Sequence, residues 1–189
     1  MRGMRVLASA GACAFVVSGC GTKPLVPPET TETPPRTTTV TASGLPACPA
    51  SQLSGRLRPG SPEVGHRRAT LEVTNRGDSP CALNGYGDLR LLGADARTVP
   101  TDAWRQPHPA ATEVVLDPGE AAVRELRWSA RPGKGEPADG PCQPEAVRLE
   151  VTPPDQAESF GVPWSLGPVC RGGWIAGGAF TESTSNARP

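Results

Sequence analysis

The chain has no hydrophobic run long enough to cross a membrane as a helix. Its longest apolar-or-small stretch, Val6 to Val17, covers about twelve residues, against the roughly twenty that a spanning helix needs. Net charge is also missing, because 19 basic side chains meet 19 acidic ones. That balance argues against nucleic acid, which wants a basic face, and against a polybasic membrane patch. Methionine occurs only as Met1 and Met4, and histidine only as His66 and His108. A Cu(I) carrier, which draws on Met and His ligands, has little to work with. Aromatics make up 4% of the residues, poor material for an enclosed apolar pocket. Lysine is confined to Lys23 and Lys134; with abundant Ala, Gly and Pro this points to a GC-rich genome and says little of function. Gly-x-Ser-x-Gly, His-Glu-x-x-His and Cys-x-x-Cys are all absent, so the common hydrolase and zinc signatures are missing.

What is present begins at the N-terminus. Arg2 and Arg5 precede the short apolar run, and Val17-Ser18-Gly19-Cys20 follows it. A basic start, a short apolar region and small residues before a cut form a secretory signal. With cysteine at its end, the pattern resembles the lipobox of bacterial lipoproteins. A thiol carries the diacylglycerol as a thioether, and small residues admit the peptidase. Residues 1–19 are therefore expected to be a lipoprotein signal peptide, removed with Cys13 inside it. Cys20 is the expected lipidation site and the link to the membrane, since more than one acyl chain gives stable anchoring. Removing residues 1–19 takes two arginines and no acid, which leaves 17 basic and 19 acidic side chains.

Residues 20–47 are expected to be a lipid-anchored, disordered Pro/Thr-rich tether. Large apolar side chains are nearly absent there, and such a segment cannot offset its ordering entropy by burial. Extended at about 3.1 Å per residue, it would reach on the order of 80 Å. Ser/Thr with Pro is also the composition of O-glycosylated stalks.

From Cys48 the texture alternates with period two. In "RATLEVTN" Ala69, Leu71 and Val73 share one face, and Thr70, Glu72 and Thr74 the other. "DLRLLG" pairs Leu89 with Leu91. "TEVVLDPGEAAVRELRW" reads as two strands around the turn Asp117-Pro118-Gly119-Glu120, with Leu126 and Trp128 inward and Glu125 and Arg127 outward. "EAVRLEVTPP" directs Val147, Leu149 and Val151 inward. "SFGVPW" and "GGWIAGGAF" are weaker strands. Sustained 3.6-residue periodicity is absent, so the expectation is all-β: an antiparallel β-sandwich over residues 48–180. Ser129 to Pro141 reads as a long flexible loop, and 181–189 as a polar tail.

Four cysteines remain in that domain, and in an exported chain they form two disulfides with three connectivities. Sequence order favours Cys48–Cys81 and Cys142–Cys170, with an Ig-type bridge between inner strands as the alternative. His66 and His108 are the only histidine bases on offer, both in polar or proline-rich surroundings where a surface histidine is the better reading. "RPGKGEPADG" lacks the Lys-Ser/Thr end of a phosphate loop. Arg76-Gly77-Asp78 stands among turn formers and reads as a turn. Trp104, in the irregular-looking "TDAWRQPH", is the candidate partner contact, and capping one end of the sandwich is its other reading.

At "LEVTNRGDSPCALNGYGDLRLLG" the chain resembles the actinobacterial DUF4232 domain found in lipoproteins. Thr74-Asn75, then Cys81-Ala82-Leu83-Asn84-Gly85-Tyr86, then Leu89-Arg90-Leu91 carry the likeness. Leu116-Asp117-Pro118-Gly119 through Trp128, Cys142 and Cys170 extend it. Gly87 stands where that family often has proline, a change that suits a turn. The resemblance implies an Ig-like β-sandwich and brings no catalytic residue, cofactor or metal. The expected function is a non-catalytic binding or scaffolding module on the extracytoplasmic face of the cell membrane, with an envelope protein or glycan as partner. A small-ligand carrier is the alternative, and a hydrolase a weaker one.

Overall fold

The computed structural model describes residues 41–61 and 63–184. The signal peptide expected at 1–19, the lipidation site expected at Cys20 and the first part of the expected tether lie outside the described residues.

The described chain is all-β. A 3-10 turn at Ala50–Gln52 precedes twelve strands: β1 (Leu53–Pro59), β2 (His66–Asn75), β3 (Cys81–Asn84), β4 (Asp88–Leu92), β5 (Thr98–Val99), β6 (Asp102–Arg105), β7 (Glu113–Leu116), β8 (Ala121–Ser129), β9 (Arg148–Thr152), β10 (Phe160–Pro163), β11 (Trp174–Gly177) and β12 (Thr181–Glu182). One sheet runs β1-β2-β8-β11-β6, with β12 also on β8. A second runs β10-β9-β4-β5, and β3 and β7 pair separately. β8 is the organising strand. All nine of its residues pair with β2 on one side, while β11 takes Leu126–Trp128 and β12 takes Ala122 and Val123 on the other. Every pairing between these strands is antiparallel except β11 with β6.

The alternating segments bury their expected faces. Ala69, Leu71 and Val73 of β2 and Leu126 and Trp128 of β8 meet Leu89 and Leu91 of β4 and Leu149 and Val151 of β9 in one core. Leu83 of β3 and Val114 and Leu116 of β7 close the same cluster. Trp128 packs on Trp164 with ring centroids 5.1 Å apart. Gly55 of β1 lets this strand approach β10, since a Cβ there would stand 2.5 Å from Val162 Cγ2. The turn Asp117–Glu120 joins two strands of different sheets, because β7 pairs with β3 and β8 with β2.

Several expectations need correction. Val147 is 41% exposed. It lies before β9 at the rim of its sheet, where Ala146 and Trp164 fill the core instead. The tether ends before residue 47: Ala47 bridges Ala82, and the Glu113 carboxylate accepts the amide N–H groups of Ala42 and Ser43 at 2.7 and 2.8 Å. The polar tail starts later than 181, because Thr181 and Glu182 form β12 and Ser183 is buried. Glu72, on the β2 face opposite Leu71, is nonetheless buried, beneath Arg56 and Arg58 of β1, both of which it pairs. Gly87 has φ +62°, a value closed to proline with φ fixed near −65°, so proline cannot replace it in this backbone.

The loop from Ser129 to Pro141 is pinned. The Glu136 carboxylate accepts N–H groups from Gly133 at 2.6 Å, Arg171 at 2.8 Å and Gly172 at 2.7 Å, and the Gln143 side chain at 2.6 Å. Burial opposes its charge, but these donors outweigh it and hold the carboxyl at about 2. The disulfides close in sequence order, Cys48–Cys81 and Cys142–Cys170.

Candidate functional site

Trp104 is in an edge strand, not an irregular segment, and it does not cap the sandwich. The "DAWR" run escapes alternation because all four of its residues are exposed. What makes it a strand is its neighbour. β6 runs parallel to β11 with Asp102 opposite Trp174 and Trp104 opposite Ala176. Ile175 is buried, so alternation turns Trp174, Ala176, Asp102 and Trp104 to the outer face. Trp104 is 58% exposed, and its indole N–H donates to Asp102 Oδ2 at 3.0 Å. The ring is thereby tied to its own strand while much of it meets solvent.

The same face continues across the sheet. Ala176 is opposite Arg127, and Arg127 opposite Arg68. Glu63, just before β2, holds Arg68 at 2.8 Å and Arg127 at 3.4 Å. Arg68 chiefly, with Arg127 behind it, keeps the Glu63 carboxyl ionised below its usual range. At the head of β2 the His66 ring meets Trp174 edge-on, centroids 6.0 Å apart. The result is a strip of His66, Trp174 and Trp104 bordered by Asp102, Glu63 and two guanidinium groups. Aromatic faces of this kind stack on apolar surfaces or sugar rings, and the bordering carboxylates and guanidiniums accept and donate hydrogen bonds.

Sequence reasoning singled out Trp104 but missed Trp174 and the placement of His66. The signal was available in the parity of "GGWIA", where a buried Ile175 forces Trp174 outward. The other candidates separate. His108 is exposed, and the Ser129 hydroxyl, opposite His66 on β8, donates to Arg131 O at 2.9 Å. No hydrogen bond joins either imidazole to a serine or carboxylate among the described residues. Arg76-Gly77-Asp78 is a turn: Asn75 Oδ1 accepts the Gly77 N–H at 2.9 Å, and Asn75 Nδ2 donates to Ser79 O and Leu116 O. In "RPGKGEPADG" the Gly133 N–H is directed at Glu136 of the loop itself rather than at a phosphate position. Glu136, Cys142 and Cys170 bring possible ligand atoms within 4.8 Å of one another, but both sulfurs belong to a disulfide and offer no thiolate to a metal.

A family model described as Domain of unknown function (DUF4232) matches residues 48–184. No curated protein matches the chain, and no solved structure does.

Proposed function

The chain belongs to the family of DUF4232 domains, and from that premise we propose that it is a non-catalytic binding module of the cell envelope. In this reading the domain is an Ig-like variant of the β-sandwich, held to the extracytoplasmic face of the membrane by lipid on Cys20. The partner is an envelope protein or glycan that docks on the aromatic strip of the outer sheet face. The observation that carries the reading is Trp104: a large ring, 58% exposed on an edge strand and tied by its N–H to Asp102. Exposed tryptophans held in one orientation lose little entropy on binding and are frequent anchors of interfaces. Near-neutral charge implies attraction through shape and a few aromatic contacts, with weak salt dependence.

The test is binding of the soluble chain to isolated envelope fractions. Trp104→Ala should weaken it by about 1–2 kcal/mol, with Trp174→Ala acting in the same direction. Binding that ignores both changes moves the surface elsewhere. Turnover of ester, peptide or glycoside substrates that disappears with His66→Ala or His108→Ala would overturn the non-catalytic reading.

A further inference from the structure

Even-numbered residues of β8 face the core: Ala122, Leu126 and Trp128 are all buried. Arg124 shares their parity and is only 2% exposed. Its guanidinium lies against Gly177 of β11, where a Cβ would stand 2.6 Å from Nε and from Nη2, and its Cζ is 5.7 Å from the Phe180 ring centroid. Nε and Nη1 have no hydrogen-bond acceptor among the described residues. A buried cation is costly unless an anion answers it, and loss of hydration lowers the Arg124 pKa to about 10.

The groups around this arginine come from the Gly85-Tyr86-Gly87 segment and from β6. Phe180 N–H donates to Gly85 O at 2.9 Å, which ties that segment to the β11–β12 connection. Arg105 ends β6 opposite Gly177, on the inward side, away from Trp104. Its guanidinium lies 5.8 Å from the Tyr86 ring centroid and reaches Asp88 only at 3.4 Å. Arg105 and Asp88 are both largely exposed, and both act electrostatically on Arg124.

We propose that Arg124 is the floor of a carboxylate-binding site whose mouth is formed by Tyr86, Asp88 and Arg105. The incoming carboxylate displaces Asp88 from its long contact with Arg105 and bridges the two guanidiniums. Charge selects the ligand class. Two arginines and one aspartate leave one net positive charge, which a carboxylate neutralises and a phosphate dianion exceeds. Tyr86 and Phe180 flank the position with apolar rings. The carboxylate belongs either to a small free acid or to the C-terminus of a peptide. This site lies on the inward side of β6 and does not depend on the outer-face reading.

The test uses the full ¹⁵N-labelled chain in detergent solution and follows the arginine Nε–Hε resonances. The Arg124 signal is identified by its loss in Arg124→Met. Sodium acetate is titrated against sodium chloride at constant ionic strength, and acetyl-Ala-Ala is titrated beside its C-terminal amide. The expected result is a saturable shift of the Arg124 signal with acetate that is absent with chloride and with the amide. Tighter binding of the free-carboxylate peptide than of acetate identifies a chain terminus as the ligand, and equal or weaker binding identifies a small acid. Arg105→Ala should lower the acetate affinity about tenfold, the loss of one charge-assisted contact. Arg124→Met should fold and lose the acetate-dependent rise in Tm, since replacing an unpaired buried charge by an apolar chain is tolerated. A resonance that stays fixed in saturating acetate, or moves equally in chloride, overturns the proposal. If Arg124→Met fails to fold, acetate affinity unchanged by Arg105→Ala overturns it instead.

Discussion

Glu136 shows how much structure one side chain can hold. Its carboxylate gathers amide N–H groups from its own loop and from Arg171 and Gly172, beyond the Cys142–Cys170 bond. Its folded pKa, about 2, lies below the ordinary 4.5. The carboxylate therefore contributes stability that is fully present above about pH 4.5 and is lost as pH falls toward about 2. Glu136→Gln should remove most of that pH dependence and cost at most about 1 kcal/mol at neutral pH, because an amide cannot answer every donor but water reaches the site. Urea unfolding of both proteins between these pH limits checks it; parallel pH profiles would contradict it. Little of this was legible beforehand. "KGEPADG" reads as loop by composition, and two of the donors, Arg171 and Gly172, come from 35 and 36 residues on. Arg124 is the opposite case. Continuing the alternation that places Leu126 and Trp128 inward by one more step places Arg124 with them, but charge conventionally reads as surface and hides the parity.

Among elements, the strands legible in the sequence are β2, β4, β7, β8 and β9, where wet and dry residues alternate, and more weakly β10 and β11. The unread ones lack that contrast. β1 carries Gly55 and two arginines, and all of β6 is exposed. β12 has only two residues and owes its existence to pairing with β8. β6 depends on a single backbone position. Gly173 has φ +85°, and a Cβ there would collide with the Pro100 carbonyl while its own carbonyl accepts the Asp102 N–H at 2.9 Å. Gly173→Ala should therefore cost about 2–4 kcal/mol and loosen β6 from β11. Faster hydrogen exchange at the Asp102 amide, together with weakened envelope binding, is the expected signature. Gly55→Ala, which presses on Val162 from β1, should cost about 1–3 kcal/mol as overpacking while leaving that amide protected. Thermal unfolding distinguishes the two by size, and exchange by location.

At the scale of the molecule, one core joins three sheets and two covalent links close its loops. The Cys48–Cys81 bond spans 33 residues and Cys142–Cys170 spans 28, so each should contribute about 3–4 kcal/mol by chain entropy. Replacing either pair by alanines should lower stability by about that amount; guanidinium unfolding with no change in midpoint would refute it. Cys20→Ser should release the protein from the membrane fraction or block processing, and unaltered membrane retention would remove the lipid anchor. The first bond has a further consequence when the domain is pulled by its N-terminal end. A load entering at Thr41 strains the Glu113 contacts and the Ala47–Ala82 bridge, then reaches Cys48. From there the covalent bond passes it straight to Cys81 and into β3. β1 and β2 lie wholly between the two cysteines, so they remain slack, and the domain bears tension without its longest hairpin being peeled apart.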